Sequence, residues 1–192
     1  MTLHDRELRQ DVRELGALLG DVLADQTSGA AFETIETVRR EAIGYRRGSE
    51  PSRDGLHGEI DGLSPERQQV VTRAFTSYFE LINLAEERER VRSIRVDSQE
   101  GALEDSLKRA AVDLAEFDRE TVQRVLDDVL IEPTFTAHPT EARRKTVKSK
   151  LRTIADRLET LDERRLTDKE HEQVWRDVVA EVTSLWQTPQ VR

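Results

Sequence analysis

Apolar side chains fall along this chain at intervals of three and four residues, the repeat of a helix with one buried face. Leu8, Val12, Leu15, Leu19 and Val22 predict a first helix over 8–23, and Ile35, Val38 and Ala42 a second over 30–45. Ser64 precedes Pro65 and Glu66, which places a capping hydroxyl, a proline at the first helical position and a carboxylate at the positive end of the dipole. The helix so opened is long, with Val71, Phe75, Tyr78, Ile82 and Ala85 as its stripe. Shorter helices are predicted at about 101–116 and 119–129. Val147, Leu151, Ile154, Leu158 and Leu161 mark another, and a capping box of Thr167 and Glu170 opens the last, through Val174, Val178, Val182 and Leu185.

Two stretches break the rhythm. Residues 46–63, "RRGSEPSRDGLHGEIDGL", are rich in Gly, Ser and charge and read as an exposed loop. "VLIEPTFTA", 129–137, gathers β-branched and aromatic residues around a proline and is the one strand candidate. The fold class expected is mainly α, with one short strand.

Composition narrows the function. A formal net charge of −9 repels polyanions, so general nucleic-acid binding is not expected. There is no cysteine, which removes disulfides, thiolate metal sites and a cysteine nucleophile. No apolar run reaches membrane-span length, and "MTLHDRELRQ" is charged where a signal peptide needs an apolar core; the expectation is a soluble, cytoplasmic protein without membrane partners. Basic charge is nearly all arginine, the lysines being Lys108, Lys145, Lys148, Lys150 and Lys169. Adaptation to high salt and a GC-rich gene both produce that bias.

Candidate chemistry concentrates at "TFTAHPTEARRKT", 134–146. Proline pushes the residue before it out of helical angles, so His138 is expected in an extended or turn conformation. A helix can restart at Thr140, with Arg143, Arg144 and Lys145 in its first turns. His138 then stands where a strand ends and a helix begins, beside free N–H groups and a dipole that favour an anion. Imidazole titrates near neutral pH and can take and return a proton there. The competing reading is a structural histidine followed by a solvated basic face. His138-Pro139-Thr140 also fits the His-x-Thr element of two-histidine phosphoesterases, but His4, His57 and His171 supply no second copy. His4 and His57 are expected to be solvated. No His-x-x-x-His pair occurs, and His171-Glu172 sits on an amphipathic helix, so no metal site is read from spacing.

The stretch resembles the histidine motif of the phosphoenolpyruvate carboxylases: Thr or Val, any residue, Thr-Ala-His-Pro-Thr-Glu, two further positions, then two basic residues. Thr134, Thr136, Ala137, His138, Pro139, Thr140, Glu141, Arg144 and Lys145 fill it. "DVRELGALLGDVL" (11–23) and "AFTSYFELINLAEE" (74–87) look like that family's opening helix and its Asn-Leu-Ala-Glu segment. "LWQTPQVR" (185–192) looks like its Leu-Trp-x-Thr-Asp-Glu-Ile-Arg, with Pro189 and Gln190 in place of the two acids.

The resemblance implies an enzyme that carboxylates phosphoenolpyruvate with bicarbonate to oxaloacetate and phosphate, a step that feeds the tricarboxylic acid cycle. It implies His138 as the catalytic proton acceptor, and it gives Arg143 and Arg144 no assigned role. It implies Mg²⁺ or Mn²⁺ as cofactor, held by ligands outside 1–192, and a homotetramer for the full-length protein. The implied architecture is the N-terminal helical segment of a large helical enzyme around a TIM-like barrel, with 129–137 as one barrel strand. On this reading the 192 residues form one segment, cut short and inactive alone, with apolar faces exposed around Val147, Leu151 and Ile154 and low stability or self-association. The alternative is a helical interaction module or truncated remnant without chemistry.

Overall fold

A computed structural model describes residues 3–48, 53–100, 106–130 and 145–189. Eight helices account for the regular structure among these residues: α1 (Leu3–Gln26), α2 (Gly29–Arg46), α3 (Arg53–Asp61), α4 (Pro65–Glu100), α5 (Leu107–Leu114), α6 (Arg119–Asp128), α7 (Lys145–Glu163) and α8 (Asp168–Gln187). They contain no strand. Most of the expected strand at 129–137 lies outside the described residues, and its first two, Val129 and Leu130, are not in a ladder. No described helix is long and apolar enough to cross a membrane.

The chain divides into two compact units, Met1–Arg88 with Arg143–Arg192, and Glu89–Ala142. The first is a helical bundle whose core combines Leu15 and Leu19 of α1, Ile35 and Val38 of α2, Leu81 of α4, Ile154 of α7 and Val182 and Leu185 of α8. Facing stripes meet here because each helix has an apolar side that must leave water. α7 and α8 run antiparallel, pinned by Lys150 to Glu181 (3.9 Å) at one level and Arg157 to Asp177 (3.5 Å) at another. Arg88, its side chain only 10% exposed, bridges Asp11 of α1 (3.1 Å) and Asp162 of α7 (2.5 Å).

One expectation reverses. The Val147–Leu151–Ile154 face is not exposed: these side chains retain 1%, 8% and 0% of their accessible surface. α8 supplies the cover that the sequence reading assigned to a barrel.

The loop expected at 46–63 is also partly wrong. Residues 53–61 form α3, with Asp54 in its first turn and Leu56 and Ile60, one helical turn apart, packed on the core. Gly55 and Gly58 and the dense charge lower intrinsic helix propensity there, and tertiary packing overrides it. Gln68 of α4 donates to the Ile60 carbonyl at 3.0 Å and fixes the helix end. The turn before it does need glycine. Gly48 takes φ 74° after α2, and the N–H groups of Arg47 and Gly48 return to the Ile43 and Tyr45 carbonyls, both at 3.1 Å.

Within α4 the buried line is Val71, Ala74, Ser77, Leu81 and Ala85, while Phe75 and Tyr78 of the expected stripe are only partly covered. Residues 77 and 81 continue the i, i+3, i+4 ladder from Val71 and Ala74, and small side chains at 74 and 77 let neighbouring helices come close. α8 ends where its sequence requires. Thr188 precedes Pro189, and its φ −83°, ψ 126° are the extended angles a residue before proline adopts.

A cheap gain in stability is available in α1. A Cβ built on Gly20 meets no atom within 4 Å, so Gly20→Ala fills open space while removing backbone entropy from the unfolded chain. The expected gain is about 0.5–1 kcal/mol, read as a higher denaturant midpoint at unchanged slope.

The capping box of α8 forms as read. Thr167 Oγ1 accepts from the Glu170 N–H at 3.4 Å, and the Glu170 carboxylate accepts from the Thr167 N–H at 2.8 Å. The hydrogen bond from the Thr167 backbone, then that from its hydroxyl, hold the Glu170 carboxyl below its ordinary 4.5. A depressed folded-state value stabilises the fold above the unfolded value and is lost as pH falls through the folded one. Glu170→Gln is therefore expected to flatten the loss of helicity on acidification below about pH 4.5 while changing little at pH 7. Equal acid profiles for the two proteins in a circular dichroism titration would contradict this.

Candidate functional site

The chain enters and leaves the histidine motif through two helices of different character. Upstream, α6 opens on Asp118, whose carboxylate accepts from the Thr121 N–H at 2.9 Å and the Thr121 hydroxyl at 2.8 Å. Those bonds, the backbone one first, lower the Asp118 carboxyl below its ordinary value. Asp118 at the cap and Glu120 in the first turn match the positive end of the dipole. After Asp128 the backbone straightens: Val129 takes φ −64°, ψ 121°.

Downstream, α7 carries the last basic residue of the motif, Lys145, on its exposed side, followed by Lys148, also exposed. Val147 between them is 1% exposed and locks the start of the helix into the bundle. One turn on, Lys150 donates to Ser184 Oγ and lies beside Glu181. Of the three lysines in the opening turns, two therefore face solvent and the third is absorbed in packing α7 on α8. A helix anchored by core side chains and cross-helix bonds holds its own first turn in place.

His138, Arg143 and Arg144, with the whole of 131–144, lie outside the described residues. His57 on α3 and His171 on α8 are both exposed, and His171 is on the polar side of its helix, as expected of solvated residues. Among the described residues no three His, Asp or Glu side chains converge to hold a metal ion. The ligands of the divalent metal that the resemblance implies are expected outside residues 1–192.

Sequence reading passed over one conspicuous contact near the chain's last residues. Arg73 of α4 lies 4.5 Å over the ring of Trp186 and donates to the Trp186 carbonyl. An arginine and a tryptophan 113 residues apart leave no local signal, although Trp186 belongs to the "LWQTPQVR" stretch already singled out.

Comparison with known proteins covers nearly all of the chain. A family model described as phosphoenolpyruvate carboxylase matches residues 8–192. A phosphoenolpyruvate carboxylase of Paraburkholderia xenovorans (strain LB400) is 38% identical over 195 residues, covering 98% of this chain and 19% of that protein. One from Ralstonia nicotianae is 39% identical over 193 residues, covering 98% of this chain and 20% of that protein. A third, from an Azoarcus species, is 36% identical, again over 98% of this chain and 21% of that protein. The chain spans about one fifth of the length of the curated relatives it matches, at their N-terminal end.

Proposed function

The chain belongs to the phosphoenolpyruvate carboxylase family, and from that premise we propose that it is the N-terminal part of an enzyme that joins bicarbonate to phosphoenolpyruvate. The single observation that carries the proposal is a complete motif, Thr134 to Lys145, inside a family match that runs from residue 8 to residue 192.

The proposed chemistry has two stages. Bicarbonate oxygen attacks the phosphorus of phosphoenolpyruvate, and the bond from phosphorus to the enol oxygen breaks, leaving carboxyphosphate and the enolate of pyruvate. Carboxyphosphate then gives its carboxyl proton to the neutral imidazole of His138 as its C–O bond to phosphate cleaves. Carbon dioxide and inorganic phosphate result, and the enolate carbon attacks the carbon dioxide to form oxaloacetate. A base with a pKa near neutrality suits this role, because it must be unprotonated beforehand and basic enough to accept. The family implies a divalent metal whose ligands are expected outside residues 1–192, and no step is assigned to it.

In sequence, α6 precedes the segment bearing His138, and α7, anchored in the bundle by Val147, follows it. Charged Arg143 and Arg144 beside a dianionic phosphate are consistent with a supporting role, and equally with pairing to acidic neighbours.

The test replaces the N-terminal fifth of the Paraburkholderia xenovorans relative with residues 1–192 of this chain and assays oxaloacetate. Bicarbonate-dependent formation from phosphoenolpyruvate is expected. A folded fusion that forms none would overturn the proposal.

A further inference from the structure

α5 and α6 are amphipathic helices that bury nothing. Neither contains a single buried residue, although Val122, Val125, Leu126 and Val129 recur at i, i+3, i+4 and i+7, the spacing of a face made to be covered. Val125, Leu126 and Val129 remain 45%, 53% and 55% exposed, and Leu107 and Phe117 are 92% and 58% exposed. Helices of 8 and 10 residues are too short to persist in water on propensity alone. Something must cover them.

Charge and length select the occupant. Residues 106–130 hold six acidic against four basic side chains, and the whole chain carries −9, so two copies of this face repel as they approach. The relatives continue for about four fifths of their length beyond the part this chain matches. Resting on the family reading above, we infer that the α5–α6 face is the docking surface for that downstream polypeptide, through an apolar patch rimmed by basic side chains. The face lies immediately before the histidine motif in sequence.

Hydrogen exchange reads this directly. Peptides covering 107–128 are expected to exchange fast in the 192-residue chain and at least about a hundredfold more slowly in the fusion to the Paraburkholderia xenovorans remainder. Leu126→Asp should restore fast exchange in the fusion and change nothing in the chain alone. Equal rates in chain and fusion overturn the inference. So does protection in the chain alone, including protection that rises with its concentration, which would make a second copy the occupant. Should the fusion not fold, residues 107–130 grafted into the intact relative carry the same comparison, with the same expected slowing and the same refutation by fast exchange. Protection is independent of catalysis: a protected but inactive fusion counts against the proposed function only, and an active but unprotected one against the docking surface only.

Discussion

His138→Asn, in the fusion to the downstream four fifths of a relative, is expected to lower oxaloacetate formation by about two to four orders of magnitude, the range for loss of a general base. Asparagine keeps hydrogen-bonding groups and much of the ring's volume, but its amide cannot accept a proton near neutral pH. The substitution therefore isolates proton transfer from packing. Because the proposed proton transfer follows attack on phosphorus, the variant still forms carboxyphosphate and enolate. Carboxyphosphate that escapes breaks down in water, and the enolate takes a proton to give pyruvate. Release of phosphate should therefore fall less than formation of oxaloacetate. Measuring both products in one reaction checks the order of steps as well as the residue. Equal carboxylation by the two proteins would remove His138 from the mechanism. Unchanged melting behaviour is the control, since a loss through unfolding would lower both products together.

Trp186→Ala is expected to destabilise the first unit by about 3–5 kcal/mol, the range for emptying a buried aromatic site. The side chain is 6% exposed in the core and bears the Arg73 guanidinium 4.5 Å above its ring. Its removal leaves a cavity among α8 and α4 residues and strips a partly buried cation of its aromatic cover, worth about 0.5–2 kcal/mol by itself. Domains of this kind have about 5–15 kcal/mol in total, so the change reaches a large fraction of the whole. Trp186→Phe keeps an aromatic face and should cost about 1–2 kcal/mol less than the alanine change. Urea midpoints at constant slope measure both. A shift below about 1 kcal/mol for Trp186→Ala would show that the ring is not integral to the core.

Much of this architecture was legible in the sequence because its signals were local. Ser64-Pro65, Thr167 with Glu170, and the stripe from Val147 to Leu161 each specify a start or a face within one or two turns, and each appears in place. Long-range decisions were not legible. Periodicity showed that α7 has an apolar side, but not that α8 would cover it, because the covering residues are remote in sequence. The expected uncovered face occurs instead on α5 and α6. Missing α3 had a different cause: Gly55 and Gly58 weigh against a helix, and the compensating contacts of Leu56 and Ile60 become visible only in three dimensions. The helix expected from about 101 begins at Leu107, where Ser106 accepts from the Arg109 N–H at 3.1 Å, a cap that sequence alone leaves among several candidates.

For the site the balance is reversed. His138 and its neighbours are proposed from residue type and spacing alone, while the described structure supplies the helices that precede and follow them in sequence. Lys150 shows how spacing misleads in a basic run: it belongs to the same cluster as Lys145 and Lys148, yet its ammonium is taken up by Ser184 and Glu181. Only cross-helix geometry separates a structural lysine from a solvent-facing one.

The first bundle is assembled from both ends of the sequence, with Arg88 joined to Asp162 across 74 positions. During synthesis at roughly 5–20 residues per second, an arm of 88 residues must wait several seconds for the second strip of its own interior to emerge from the ribosome. Through that delay Leu81 and its neighbours are open to chaperones, and nascent chains stalled before α8 should be sensitive to protease along their whole length.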